Sequence, residues 1–179
     1  MTKTLCLAAC LGLFGQSAPD WAKDAKIAPV AVGQAPNSSA FGSRIYFAGQ
    51  PSTADLAEYA KLGVKTIVNL RSPAEMAQVG FDEAAAAKSN GMRYVNVPVG
   101  GTMPTDGELA KIYAELNKSG NEKVLMHCAS SNRVGMTWAL YRGTQHGMSG
   151  DAALAEGKSA GLKAPALEKL AKEKLGVKP

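Results

Sequence analysis

From Arg44 onward, short β-branched or apolar runs alternate with longer stretches of helical periodicity, and this alternation limits the possible folds more than any other feature of the chain. Strands are expected at 44–49 (RIYFAG), 64–70 (VKTIVNL), 92–99 (MRYVNVPV) and 123–127 (KVLMH). Helices are expected at 51–63, 82–91, 104–120 and 133–147, with two more between 150 and 175. Ser52 or Thr53 caps the first helix, Gly63 stops it, and Arg71-Ser72-Pro73 marks a loop. The pattern predicts an α/β domain: a mostly parallel central sheet of about four to five strands, flanked by helices. Ligands of such sheets bind beyond the carboxyl ends of the strands.

The N-terminal stretch reads differently. Thr4 to Phe14 is apolar after a single Lys3, and small residues follow. Residues 1–18 therefore read as a secretory signal, too short for the roughly 20 residues that span a bilayer. A lipoprotein signal ending at Ala9, with an acylated Cys10, is the competing reading. Either way the expected location is exported and periplasmic, with no transmembrane span. Residues 19–42, rich in Pro, Ala and Ser without clear periodicity, read as a linker or tether with one extended piece at most, leaving 43–179 as the folded domain. Loss of the signal removes Cys6 and Cys10 and leaves Cys128 as a lone thiol. The formal charge of +5 favours anionic ligands. The lysines are scattered, so no nucleic-acid partner is implied, and nothing in the chain sets an oligomeric state.

The strand at 123–127 ends in His127, and Cys128 follows directly. Ala129, Ser130, Ser131 and Asn132 then form a loop of small residues that must turn into a helix opening near Arg133. Free amides at a helix N-terminus form an anion site, and small side chains let the backbone curl closely around the ligand. Arg133 adds a planar fork of donors suited to two oxygens of a phosphate. The same field favours thiolate over thiol. A nucleophile and an oxyanion receptor are thus expected from one short loop.

His127-Cys128, four residues, then Arg133 resembles the signature loop of the cysteine-dependent phosphatases, the protein tyrosine and dual-specificity superfamily. More closely, FAGQPSTADLAEYAKLGVKTIVNLRSPAEM together with HCASSNRVG is similar to the phosphatase-like domain found with beta-lactamase hydrolase-like proteins, over about Arg44 to Leu175. The resemblance implies a cysteine-phosphatase fold, hydrolysis of phosphate monoesters through a cysteinyl-phosphate, and an anionic phosphorylated substrate. Two departures stand out. Most of the superfamily has five residues between Cys and Arg, and a Ser or Thr where this chain has Val134. The shorter loop also resembles that of rhodanese-type sulfurtransferases, where the cysteine carries a persulfide. A sulfurtransferase and a non-catalytic anion-binding module are therefore the rival readings.

Relatives in the superfamily supply a general acid from a loop upstream of the cysteine, which points to Asp106. Thr105-Asp106-Gly107-Glu108 is equally a helix-capping pattern. Arg71, at a second strand end, is a candidate to reach the anion or to pair with Glu75. His127 is expected to hold the loop through hydrogen bonds. Two isolated histidines and one mature cysteine give no metal-ligand spacing, and no cofactor is expected.

Overall fold

The computed structural model describes residues 25–118 and 122–178. The signal-sequence and Cys10 readings, and residues 19–24 of the expected tether, lie outside them. Among the described residues six strands form one sheet in the order β1-β2-β3-β6-β4-β5. They are β1 (Ile27–Pro29), β2 (Ser39–Phe41), β3 (Ile45–Ala48), β4 (Val64–Asn69), β5 (Arg93–Asn96) and β6 (Lys123–His127). The four strands β3, β6, β4 and β5 run parallel, as the alternation predicts. The first two pair antiparallel at one edge. The helices that cover the faces are α1 (Thr53–Lys61), α2 (Pro73–Met76), α3 (Glu83–Ser89), α4 (Asp106–Asn117), α5 (Asn132–His146), α6 (Gly150–Ser159) and α7 (Pro165–Leu175).

The tether reading fails for residues 27–42. Phe41 on β2 is fully buried, and its ring centroid lies 4.9 Å from that of Trp138 on α5. Phe47 on β3 meets the same indole from 4.9 Å. An aromatic pair of this kind contributes about 0.5–1.5 kcal/mol beyond burial, which adds to the burial of the Phe41 ring in anchoring a three-residue strand that has no pattern of its own. α2 is a second departure. Pro73 at its first position and a reciprocal Ser72–Glu75 capping box start one turn of helix inside the expected loop.

Side chains alternate across each strand, so the sheet splits the core into two layers. Ile45, Phe47, Val68, Val124, Met126 and Cys128 face α4–α7, whereas Tyr46, Ile67 and Leu125 face α1 and α3. By the same alternation His127 and Cys128 take opposite faces. In the parallel register His127 lies between Ala48 and Asn69, which brings three strand ends together where β6 stops. No helix among the described residues is long and apolar enough to cross a membrane.

Candidate active site

The loop from Cys128 to Ser131 is held from both sides. On one side, Cys128 N donates to Ala48 O at 3.3 Å and Gln50 N donates to Ala129 O at 3.1 Å. Asn37 Nδ2 donates to Ser130 O at 3.2 Å. Gly49 is required where these chains meet, because a Cβ there would lie 2.8 Å from Ala129 O and from Pro36 Cγ. On the other side, Ser131 Oγ donates to Ala160 O at 2.7 Å, and Asn132 Oδ1 accepts from the amides of Lys163 and Ala164, each at 2.7 Å. The first helical bond of α5 runs from Gly135 N to Ser131 O, so the amides of Asn132, Arg133 and Val134 have no partner within the helix. They form the positive end of a four-turn dipole beside Cys128.

Arg133 is fixed by a carboxylate. Its Nη2 donates to Glu75 Oε1 at 2.6 Å and its Nη1 to Glu75 Oε2 at 2.9 Å, while Nη1 also reaches Val99 O at 2.8 Å and Leu70 O at 3.3 Å. Those bonds occupy the Nη1/Nη2 end of the guanidinium and leave the Nε/Nη2 edge for two oxygens of an anion. The Arg133 hydrogen bonds hold the Glu75 carboxyl at about 2, well below its ordinary 4.5. In return Arg133 is raised above its ordinary value, by the Glu75 bond first and, against the opposing effect of burial, by the nearby Cys128 sulfur. Near neutral pH Glu75 is therefore a carboxylate, not an acid.

A second polar chain backs the loop. His127 is fully buried, with Nε2 3.1 Å from Glu83 Oε1, off hydrogen-bond alignment, and Nδ1 3.4 Å from Cys128 O. Asn69 Nδ2 donates to Glu83 Oε2 at 2.9 Å. Gln50 joins the two systems: its Nε2 donates to Glu83 Oε1 at 3.2 Å, and its Oε1 accepts from Arg71 Nη1 at 2.6 Å. Arg71 Nη2 then donates to Glu75 O at 3.2 Å.

The stretch that builds this site also carries the likeness to known proteins. The sequence profile described as "Beta-lactamase hydrolase-like protein, phosphatase-like domain" matches residues 41–145, more than half the chain. This chain belongs to that family. A beta-lactamase hydrolase-like protein of Xylella fastidiosa is 36% identical over 99 residues, which is 54% of this chain and only 23% of that protein. A candidate thiosulfate sulfurtransferase of Mycolicibacterium smegmatis is 31% identical over 91 residues, 44% of this chain and 33% of that protein. Among solved structures, TpbA of P. aeruginosa, in a cysteine-to-serine form in complex with pTyr, superposes with a TM-score of 0.66 at 23% identity, covering 84% of this chain and 88% of TpbA. A glycine-to-alanine mutant form of Tk-PTP gives 0.65 at 20% identity, covering 78% of this chain and 94% of Tk-PTP. A DUF442 protein of Shewanella putrefaciens gives 0.63 at 19% identity, covering 80% of this chain and 93% of that one. The fold is that of the protein tyrosine phosphatase-like structures.

Within this phosphatase-like domain the residues expected from sequence divide cleanly. Cys128, Ala129, Ser130 and Ser131 form one loop that runs into Asn132 and Arg133 at the start of α5, with His127 behind it and Arg71 joined to Arg133 through Glu75. Asp106 makes no described contact with them. It is the first residue of α4, its side chain is 92% exposed, and its described partner is Lys174 Nζ at 3.4 Å. Lys174 sits ten residues along α7 from Ala164, about 15 Å of helix rise from the Asn132 contact. Thr105 and Glu108 form the reciprocal capping box, so the helix-start reading of this stretch is the one realised. The Ser131 hydroxyl does not stand in for the one missing at Val134, because it donates to Ala160 O, while Ser130 Oγ accepts from Asn132 Nδ2 at 3.1 Å. Glu75, Glu83, Gln50 and Asn69 complete the site without a clear signal in the sequence. The two glutamates read simply as first-turn acids of helices, and Gln50 and Asn69 lie in the stretch that carries the family resemblance without any residue pattern that assigns them a role.

Proposed function

We propose that this domain is a cysteine-dependent phosphatase that hydrolyses phosphate monoesters. The observation that carries the reading is the pairing of Cys128 and Arg133 on one loop, with Arg133 anchored by Glu75 so that its free edge serves an anion beside the sulfur. In the first step the Cys128 thiolate attacks phosphorus, a sulfur–phosphorus bond forms, and the bond to the leaving oxygen breaks with the electron pair remaining on that oxygen. The three non-bridging oxygens lie against the α5 amides and Arg133. In the second step water attacks phosphorus, inorganic phosphate departs, and the thiolate is restored.

The leaving oxygen needs a proton unless it is already a weak base. Glu75 is ionised and Asp106 faces Lys174, so leaving groups that depart as stable anions suit this site best. That points to aryl phosphates of the phosphotyrosine type, the class found bound to TpbA. Export, expected from residues 4–14, would place a thiolate where it oxidises easily, so assays need a maintained reductant.

The test is phosphate release from an aryl phosphate. Cys128→Ser should abolish it, and Arg133→Ala should lower it about a hundredfold or more. Full activity in the Cys128→Ser protein, or thiocyanate formation from thiosulfate and cyanide with no phosphate release, would replace this reading with another.

A further inference from the structure

Among the described residues only Asn37 and Ser131 carry a positive φ without being glycine, and both touch the cysteine loop. Asn37 bonds it from outside. Ser131 is part of it, at φ 68°, completely buried, in the position that starts α5. A serine there ordinarily lies in the extended region and turns its oxygen onto the second or third amide of its own helix. Ser131 does neither. Its hydroxyl donates outward to Ala160 O at 2.7 Å, and the next residue along, Asn132, takes the amides of Lys163 and Ala164. The receiving segment is shaped for this contact: a Cβ on Gly161 would lie 2.6 Å from Ser131 Cβ and 2.8 Å from its Oγ.

The consequence is geometric. A left-handed residue between a strand and a helix sets the direction in which the following peptide planes point. L-residues other than glycine rarely hold that conformation unless something outside the loop restrains it. Here bonds to Ala129, Ser130 and Asn132 restrain its neighbours, and the restraint made by the Ser131 side chain itself is the buried hydrogen bond to the end of α6. We infer that Ser131 is a positioning residue for the Cys128 site: its bond to Ala160 locks the left-handed turn and so aims the first α5 amides and Arg133 at the sulfur and its anion. The same bond keeps the serine oxygen off those amides, which leaves them available to a ligand. This inference rests on the anion-binding cysteine proposed above.

Ser131→Gly keeps the backbone conformation available while removing the bond, and Ser131→Ala removes the bond while keeping the demand on φ. Two quantities are read for each: the affinity for inorganic phosphate, by calorimetry, and the pH at which alkylation of Cys128 reaches half its plateau rate. The glycine variant should bind phosphate about fivefold more weakly and the alanine variant about tenfold or more, with the alkylation midpoint moved to higher pH in both. Ser159→Ala removes another serine-to-carbonyl bond, from Ser159 Oγ to Ala155 O, on the same helix but outside the loop, and should change neither quantity. A purely structural role would lower the melting temperature and leave both readouts in place. Phosphate affinity within about twofold of the parent and an unmoved midpoint in the glycine variant would overturn the inference, whether or not the alanine variant folds. If instead the parent protein shows no phosphate binding and alkylates like free cysteine, the underlying reading falls, and this inference with it.

Discussion

Helices α4 and α5 begin in similar sequence, a small polar residue followed by a charged residue within two positions, yet their first turns do opposite things. Thr105 accepts the Glu108 amide while the Glu108 side chain accepts from Thr105 N at 2.7 Å, so α4 closes its own terminus. At α5, Ser131 turns away and leaves the terminus open beside a cysteine. The contrast shows that a helix start stays uncapped when its cap residue is claimed by another part of the fold. It also shows why Asp106 and Arg133 differ: one answers a dipole already capped, the other joins a dipole left free.

The largest effect that would separate the two helix starts concerns their glycines. A Cβ on Gly135, in the first turns of α5, would lie 2.4 Å from Gly157 O and from Leu162 N, backbone atoms that cannot move aside. Gly135→Ala should cost roughly 3 kcal/mol or more in a denaturant melt, through overpacking. On α4, a methyl group added at Gly107 would meet nothing within 4 Å, so Gly107→Ala should be neutral or slightly stabilising. Equal losses in the two variants would break the comparison.

Next in size is Glu75→Gln, which removes the carboxylate from the Arg133 fork and has no counterpart at α4. Aryl phosphate turnover should fall about tenfold to a hundredfold, the range for a lost charge-assisted pair. Glu75 also has a pH signature. Its folded value, about 2, lies below its ordinary 4.5, so its contribution is complete above pH 4.5 and lost as pH falls toward 2. Acid melts of the parent should show a steeper decline than melts of the Glu75→Gln protein, in which Asp55 and Glu115, also held below their ordinary values, still contribute.

Thr105→Ala should cost about 1 kcal/mol of stability, the usual worth of an N-cap, and leave phosphate affinity unchanged. Smallest of all is Asp106→Asn, where turnover should stay within about twofold. A fall of about a hundredfold or more would instead restore Asp106 as the general acid.

What the sequence discloses follows from how local each signal is. The parallel strands are legible because runs such as VKTIVNL carry their pattern in consecutive residues. The Cys128–Arg133 loop is legible because cysteine and arginine lie five positions apart. β1 and β2 are not, since three-residue strands in a Pro- and Ala-rich stretch depend on Phe41 meeting Trp138, nearly a hundred positions away. Gln50 and Glu83 acquire roles only when the register sets Ala48, His127 and Asn69 side by side. Asp106 is ambiguous for a different reason: a capping turn and an acid-bearing loop are written with the same residues.

Formation of a phosphoryl–cysteine at residue 128 is tested most directly by rapid-quench mass spectrometry of the reduced protein mixed with an aryl phosphate. A phosphoryl group should appear on the peptide that contains Cys128 before steady turnover, and should be absent from the Cys128→Ser protein. Phosphate release with Cys128 unmodified throughout, and unchanged in the serine variant, would contradict it.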